Sequence, residues 1–321
     1  MSRTRRPASP LATPVRLENA FCDPEGLLAL IRGGAPYKTQ EAAHKHPGVT
    51  RTSGWFRNFW ALGGKVVMDG AEPFFLNPTF IEAAKASFNA EIVEPVAMMT
   101  NLNLPMAGLD PHLDLPFFRG AMNREVPAWL LVPMGYCGLF QDWAVPVASA
   151  ITWFYDGEGG AFEYWPDGLD HPSRVEKPPY FNTAVLADNE YMYHRVGSLG
   201  LQEEWLADDA IPFDARLYLE GDRWVVRDGP RQLHAHAFTN VRVSVLWKAH
   251  CFRNEAEAAA FHDHSEDLTP EIVTRIFVAD LGEKGFDTAK LPSADIRDDA
   301  WKPILEAAYP APRLSKITRY S

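Results

Sequence analysis

Between residues 91 and 250 the sequence consists of short runs rich in Val, Ile, Phe, Tyr and Trp, separated by Gly, Pro, Asn and Asp. Residues 158–168 and 217–226 are two examples. Short apolar runs bounded by turn-forming residues are typical of strands in a β-sandwich or barrel. This feature constrains the fold more than any other, because it predicts a mainly β core.

The most apolar stretch lies within this region, at residues 128–140 and 143–154. Prolines and polar residues interrupt it, which argues against a membrane span. We therefore expect buried strands there.

Helix signals flank the predicted β core. Asp23 and the proline after it predict the start of a helix, and residues 78–90 repeat apolar side chains at helical period. On the other side, Asn254 and Thr269 are candidate N-caps, and residues 301–309 predict a last helix. The expected fold is mainly β with flanking helices.

The predicted organisation is a single domain in four parts. Residues 1–15 are expected to form a flexible tail, and residues 16–90 an N-terminal helical region. Residues 91–250 form the β core, and residues 251–321 form C-terminal helices packed on it. No apolar segment follows the arginines of the tail, so we expect no export signal and a cytoplasmic protein.

Composition excludes several classes of function. The 31 Lys and Arg against 42 Asp and Glu give a net charge of −11, which argues against nucleic-acid binding. The three cysteines lack CxxC spacing, so a disulfide scaffold and a cysteine zinc site are not expected. The expected partner is a small-molecule substrate, with no nucleic acid and no membrane.

The first candidate metal ligands are His112 and Asp114. Two residues apart on an extended chain, they project from the same face, so one metal can take an imidazole nitrogen and a carboxylate oxygen. A third ligand from another strand completes the 2-His-1-carboxylate set of non-haem Fe(II) oxygenases. The alternative is a pair of solvated loop residues.

A distal ligand is predicted at His194, near the end of a strand–turn–strand pattern over residues 182–196. The alternative for this residue is a half-buried core histidine bonded to a carbonyl. His234 and His236 are rival distal ligands, since they lie closer in sequence to the strand described next. Otherwise they are expected to be solvated turn residues.

The alternation in residues 239–247 places Arg242, Ser244 and Leu246 on one face of a strand. A guanidinium that faces a barrel interior is costly unless it meets an anion. A dicarboxylic co-substrate would supply that anion, with a bidentate contact from arginine and a hydroxyl bond from serine. The alternative is an open sheet face with the arginine in solvent.

Taken together, the HxD motif, a distal histidine followed by Arg-Val, and Arg-x-Ser on a late strand resemble the Fe(II)/2-oxoglutarate-dependent dioxygenase superfamily. The resemblance covers about residues 95–250. It implies a double-stranded β-helix, a jelly-roll, cupin-like barrel whose open end holds the metal. It also implies that the iron ligands are His112, Asp114 and His194, and that Arg242 and Ser244 bind the co-substrate.

The activity implied by the resemblance is hydroxylation of a small organic molecule, with release of succinate and CO2. Fe(II), 2-oxoglutarate and O2 would be required, and ascorbate would be supportive. The carboxylate at Asp114 disfavours a halogenase. The rival hypotheses are a cupin-type metalloenzyme that does not use 2-oxoglutarate and a non-catalytic β-sandwich binding module.

The spacing departs from the family pattern in one place. The sequence advances 80 residues from Asp114 to His194, which is acceptable, but 48 from His194 to Arg242, which is long. An insertion at about residues 197–232, with a hairpin at residues 218–226, would account for the gap and is a candidate lid over the substrate.

Overall fold

The structure is a computed structural model that describes residues 12–45, 48–122, 125–292 and 295–310. The predicted tail at residues 1–15 lies mostly outside the described residues.

The strands in chain order are β1 (Val15–Leu17), β2 (Tyr37–Thr39), β3 (Arg51–Thr52), β4 (Trp55–Leu62), β5 (Lys65–Val66), β6 (Ile92–Asn103), β7 (Val147–Tyr155), β8 (Phe162–Trp165), β9 (Arg174–Glu176), β10 (Tyr180–Ala187), β11 (Tyr193–Val196), β12 (Ile211–Pro212), β13 (Arg216–Glu220), β14 (Arg223–Asp228), β15 (Arg231–Ala237) and β16 (Arg242–Phe252). The α-helices are α1 (Pro24–Gly33), α2 (Gln40–His44), α3 (Glu72–Phe75), α4 (Pro78–Phe88), α5 (Ala128–Cys137), α6 (Glu255–His262), α7 (Pro270–Glu283) and α8 (Lys302–Ala308).

Most strands form one antiparallel main sheet. Its order is β1-β10-β7-β16-β6-β4-β2-β13-β14-β15, with β5 paired to β4. A second sheet has the order β11-β8-β9, and β12 pairs with β3 in a third. Strand β16 lies between β6 and β7, so the last strand of the described ranges is in the interior of the main sheet.

The chain passes back and forth between the main and second sheets. After β6, the segment that follows bridges to β11 of the second sheet at His112, and the chain then returns to the main sheet as β7. The alternation continues along the chain: β8 and β9 are in the second sheet, β10 is in the main sheet, β11 is in the second sheet and β16 is in the main sheet. Aromatic side chains from both sheets, including Trp153 and Phe162, form a buried cluster between them.

This arrangement is the jelly-roll form of the double-stranded β-helix, as the family resemblance implies. Within the described ranges the main sheet keeps two edges, at β1 and β15, and the sheets do not close into a barrel. The face of the main sheet that carries Val243 and Val245 packs against α4 and the N-terminal segment in the largest hydrophobic core.

The predicted helix starts are confirmed. Asp23 accepts a hydrogen bond from the Gly26 amide at the start of α1, over 2.8 Å. Asn254 and Thr269 cap α6 and α7 in the same way. These are local signals, because a capping side chain bonds to amides within its own turn.

The strand predicted at residues 128–140 is wrong, because residues 128–137 form helix α5. The helix is buried among the C-terminal helices, with Leu130, Leu131 and Met134 in a second hydrophobic core. A helix that is apolar on all sides shows no 3.6-residue period, so its sequence does not differ from that of a buried strand. The second half of the apolar stretch is strand β7, as predicted.

The segment 16–90 contains the four helices α1 to α4 and also five strands, of which β4 extends the main sheet beside β6. The hairpin expected at residues 218–226 is present as β13 and β14, and β13 pairs with β2, so the hairpin continues the main sheet. The division of the chain into four parts stays a prediction. Across the described ranges, the helices are too short or too polar to cross a bilayer.

Candidate metal centre and co-substrate pocket

Two of the predicted ligands are joined by the backbone. His112 lies opposite His194, the second residue of β11, in an isolated antiparallel bridge. Each amide donates to the other's carbonyl oxygen over 3.0 Å, and the ring centroids lie 4.6 Å apart. Residues that face each other across strands project their side chains together, so this bridge brings the two imidazoles to one point.

Backbone carbonyls orient both imidazole rings. His112 Nδ1 lies 2.9 Å from the Asp110 carbonyl oxygen, and His194 Nδ1 lies 3.0 Å from that of Met192. A carbonyl only accepts hydrogen bonds, so both Nδ1 atoms donate, which leaves Nε2 as the nitrogen with the lone pair whenever the ring is neutral. Burial also lowers the pKa of His194 to about 4, so its ring is neutral at neutral pH. A neutral imidazole with an oriented lone pair is suited to bind a metal.

Asp114 completes the group. Its amide donates to the Asn189 carbonyl oxygen over 2.9 Å, and its Oδ1 lies 3.8 Å from His194 Nε2. One ligand atom from each of Asp114 and the two histidines lies within 4.8 Å of the others. Among the described residues this is the only group of three or more His, Cys, Asp or Glu with that geometry.

The second oxygen of Asp114 is held by Lys248 from β16. Lys248 Nζ donates to Asp114 Oδ2 over 2.7 Å. Burial favours the neutral acid, but the positive charge of Lys248 outweighs it and holds the pKa of Asp114 well below its usual range. His194 adds to this effect only at the low pH at which its own ring is protonated. The carboxylate is therefore ionised, with Oδ1 turned toward the histidines and Oδ2 occupied by the ammonium group.

Glu190 lies beside this ion pair and is only 2% exposed. The Phe117 amide donates to its Oε2 over 3.2 Å. Burial raises its pKa well above the usual range, and the neighbouring carboxylates add to that effect, while Lys248 opposes it. The burial of Glu190 therefore favours the uncharged acid over a second carboxylate beside Asp114.

Arg242 is the first residue of β16, six positions before Lys248, and is buried, with 2% of its surface exposed. Its Nε donates to the Gly160 carbonyl oxygen over 3.0 Å, and its guanidinium lies 5.9 Å from the Trp153 ring centroid. Nη2 is buried and makes no hydrogen bond within the described chain. The alternative of an arginine in solvent is therefore wrong. Burial lowers the pKa of Arg242 to about 10, which leaves it charged at neutral pH.

Ser244 lies two residues from Arg242 on the same face of β16 and is also buried. The strand register places Trp153 of β7 on one side of Ser244 and Asn101 of β6 on the other. The next residue on this face, Leu246, is only partly buried, and Lys248 follows it. Arg242, Ser244 and the metal ligands thus face the same space between the two sheets.

The rival histidines lie elsewhere. His234 and His236 are on β15, at the outer edge of the main sheet, and not in a turn. Five strands separate β15 from β16 in the main sheet, because β13, β14 and β15 extend the sheet beyond β2. His262 and His264, two residues apart like the histidines of β15, bond to the carboxylates of Glu94 and Asp267. Neither pair joins the group at Asp114.

Three charged residues at the site were not predicted: Lys248, Glu190 and Arg57. A signal existed for Lys248, since the alternation that groups Arg242 with Ser244 reaches it two residues beyond Leu246. Arg57 is on β4, opposite Asn101, and is 8% exposed. Its position depends on pairing between distant strands, which the sequence pattern does not specify.

The donor set suits Fe(II). Two imidazoles and one carboxylate on one side of a cavity form the facial arrangement that leaves positions for other ligands. The unsatisfied Nη2 of Arg242 suits a carboxylate of a co-substrate, because a buried cation without an anion is costly. The residues present therefore fit both the metal and 2-oxoglutarate.

No protein-family model and no curated protein matches this sequence. Among solved structures, the chain is similar to an oxidoreductase of the 2OG-Fe(II) oxygenase family from Burkholderia pseudomallei, with 13% identity, a TM-score of 0.41, and coverage of 75% of this chain and 87% of that one. It is also similar to a prolyl-4-hydroxylase from Pseudomonas putida, with 12% identity, a TM-score of 0.40, and coverage of 76% and 94%. A third is HygX from Streptomyces hygroscopicus with nickel and 2-oxoglutarate bound, with 10% identity, a TM-score of 0.39, and coverage of 75% and 84%. One of these three proteins is of the 2OG-Fe(II) oxygenase family, and another has 2-oxoglutarate bound.

Proposed function

We propose that the protein is an Fe(II)- and 2-oxoglutarate-dependent oxygenase that hydroxylates a small organic molecule and releases succinate and CO2. The observation that carries the proposal is the convergence of His112, Asp114 and His194, with both imidazole Nε2 atoms left free by Nδ1 bonds to carbonyls. These three residues would hold the metal. When bound, the metal with 2-oxoglutarate supplies the oxidation by O2 that places one oxygen atom in the substrate and the other in succinate.

The other residues of the centre bind and orient. Lys248 fixes Asp114 Oδ2, so that Oδ1 is the oxygen presented to the metal. Arg242 would bind the distal carboxylate of 2-oxoglutarate with its unsatisfied Nη2, and Ser244 would donate a hydroxyl bond. The aromatic cluster around Trp153 keeps water from the guanidinium, which strengthens the charge-assisted bonds there.

The direct test is turnover of 2-oxoglutarate to succinate with Fe(II), ascorbate and air. We expect wild-type protein to form succinate above a control without protein. His112→Ala should reduce this to the control level, whereas the matched variant His234→Ala should retain it. Succinate formation that survives in folded His112→Ala, or wild-type protein that neither binds nor consumes 2-oxoglutarate, would overturn the proposal.

A further inference from the structure

Arg57 is a second buried guanidinium at the candidate centre. Its Nε donates to Asn101 Oδ1 over 2.6 Å, and its Nη1 lies 2.5 Å from His44 Nε2. A guanidinium only donates, so His44 Nε2 must be the acceptor and the ring is neutral. The Trp55 ring lies beside the guanidinium, with its centroid 5.5 Å from Cζ. The immediate partners of Arg57 are therefore all uncharged.

No carboxylate in the described ranges lies within the 4.0 Å of an ion pair with Arg57. The remaining nitrogen, Nη2, makes no hydrogen bond to a described residue. It is also absent from the fully buried polar atoms that lack a partner, so it is not fully buried. It therefore borders accessible space. Burial lowers the pKa of Arg57 to about 10, partly opposed by the charges of Asp114 and Glu41, so the group is a cation at neutral pH. A buried cation with an unpaired donor at accessible space is suited to bind an anion.

The distal carboxylate of 2-oxoglutarate would neutralise only one of the two guanidiniums. The two also diverge in direction. Arg242 reaches toward Gly160 and Trp153, on the side of β7 and β8, while Arg57 reaches toward His44 of α2 on the other side of β6. One carboxylate does not serve both groups, so Arg57 remains available to a second anion when Arg242 holds the co-substrate.

The surface between Arg57 and the metal ligands is apolar. Arg57, Asn101 and Ser244 lie side by side across β4, β6 and β16. The next row on the same face consists of Phe59, Met99 and Leu246. Leu246 and Phe59 are only partly buried, so they border the same space. The row after it contains Lys248, which holds Asp114. A molecule bound here would lie over apolar side chains, with one end at Arg57 and the other toward the metal ligands.

We propose that Arg57, supported by Asn101 and His44, binds the carboxylate of the primary substrate, which is a monocarboxylic acid with an apolar body. This inference rests on the proposed function, because it assigns Arg242 to the co-substrate. The carboxylate would anchor the acid, and the apolar row would direct its hydrocarbon part toward the metal.

The test uses the full chain loaded with Ni(II), a redox-inert substitute metal, and saturated with 2-oxoglutarate. Hexanoic, benzoic and phenylacetic acids are titrated by calorimetry, each beside its neutral primary amide. We expect at least one acid to bind wild-type protein saturably and its amide to bind at least tenfold more weakly. Arg57→Met should weaken that acid at least tenfold, and Arg57→Lys should recover part of the loss.

Lys38→Met is the matched control. Lys38 lies opposite Arg57 on the neighbouring strand β2 but is exposed and makes no hydrogen bond to Arg57, Asn101 or His44, so its removal deletes a nearby cation and keeps the bonds of the site. Acid affinity should stay within twofold in this variant. Circular dichroism checks the fold of each variant, and the comparison of acid with amide in wild-type protein needs no variant at all.

Three results would overturn the assignment: no acid binds wild-type protein, acid and amide bind alike, or folded Arg57→Met binds the acid as wild type does. A fourth is that Arg57→Met, and not Arg242→Met, abolishes 2-oxoglutarate binding, which would make Arg57 the co-substrate residue and leave the proposed function standing. If Ni(II)-loaded wild-type protein binds no 2-oxoglutarate, the proposed function fails. The acid titration without 2-oxoglutarate then still decides whether Arg57 binds a carboxylate.

Discussion

The two faces of the main sheet use the same strands for different purposes. On β16, Val243, Val245 and Trp247 enter the largest hydrophobic core, while Arg242 and Lys248 face the candidate centre. The first face is apolar and packed, so its residues stabilise the fold. The second face contains buried charges, whose desolvation cost is offset only by an opposite charge on a ligand or on a neighbouring side chain. Alternation along one strand thus places residues for stability and residues for binding at successive positions, on opposite faces.

The largest expected effect is on metal binding by the second face. His194→Ala should weaken Ni(II) or Fe(II) binding by at least about 100-fold, because loss of an outer-shell partner alone costs roughly 10–100-fold. His236→Ala, on the edge strand β15, should change it less than threefold. Calorimetric metal titration measures both. Equal losses in the two variants would show that the group at Asp114 is not the metal site.

On the first face, Leu102→Ala should destabilise the fold and spare binding. Leu102 is completely buried in the core, between Asn101 and Asn103, which point to the other face. Truncation of a buried leucine costs about 2–5 kcal/mol in the free energy of unfolding. Urea unfolding measures this loss, and Ni(II) affinity of the folded variant should stay within threefold. A large loss of metal affinity would mean that the two faces are not independent.

A polar residue on the second face should affect stability through pH. His250 is buried among Phe117, Phe252 and Phe261, and its Nε2 has no hydrogen bond within the described residues. Burial, with smaller effects of His262 and Lys248, lowers the pKa of His250 to about 4. Above about pH 6.5 the ring is neutral in both the folded and the unfolded state, so it contributes no pH dependence.

Between about pH 6.5 and 4 the unfolded state binds the proton first, so stability falls as the pH falls, by up to about 3 kcal/mol from this group. His250→Phe should remove that part of the slope. Urea unfolding of the metal-free proteins at pH 7, 6, 5 and 4.5 measures the difference. His194, whose pKa is also lowered to about 4, contributes equally to both proteins. Parallel curves for wild type and variant would contradict the prediction.

Arg242→Met should weaken 2-oxoglutarate binding without loss of the metal. Charge-assisted hydrogen bonds contribute about 1.5–3 kcal/mol, which corresponds to a roughly 10- to 150-fold higher Kd. Arg242→Lys should recover only part of this, because an ammonium group does not reproduce the planar fork. Anaerobic titration of the Fe(II)- or Ni(II)-loaded protein measures it. An unchanged Kd in the folded variant would place the distal carboxylate elsewhere.

The smallest effect is expected from Ser244→Ala. It removes one hydroxyl donor, worth about 0.5–1.5 kcal/mol, so the Kd of 2-oxoglutarate should rise roughly 2- to 10-fold. The same titration measures it. A loss larger than that of Arg242→Met would reverse the assignment of the two residues.

The sequence predicted what depends on local signals. Asp23 and Asn254 mark helix starts because each bonds within its own turn, and the alternation around Arg242 follows from the two-residue period of a strand. The jelly-roll fold and the residues that meet at Asp114 came from motif spacing and the family resemblance. Helix α5 was missed because an apolar helix has no period to detect. The place of Arg57 beside Asn101 was missed because strands far apart in the chain pair there.

The central place of β16 has a consequence for the order in which the molecule folds. Strands β6 and β7 both pair with β16, although β16 follows β7 by almost ninety residues of chain. Until residue 252 has left the ribosome, those two strands present unpaired edges with apolar side chains, the kind of surface on which chains associate. A chain shortened before β16 would lose Arg242, Lys248 and the link between two halves of the sheet at once, so it would be prone to aggregation and unable to form the centre. Contacts of such long sequence separation are also slow to form.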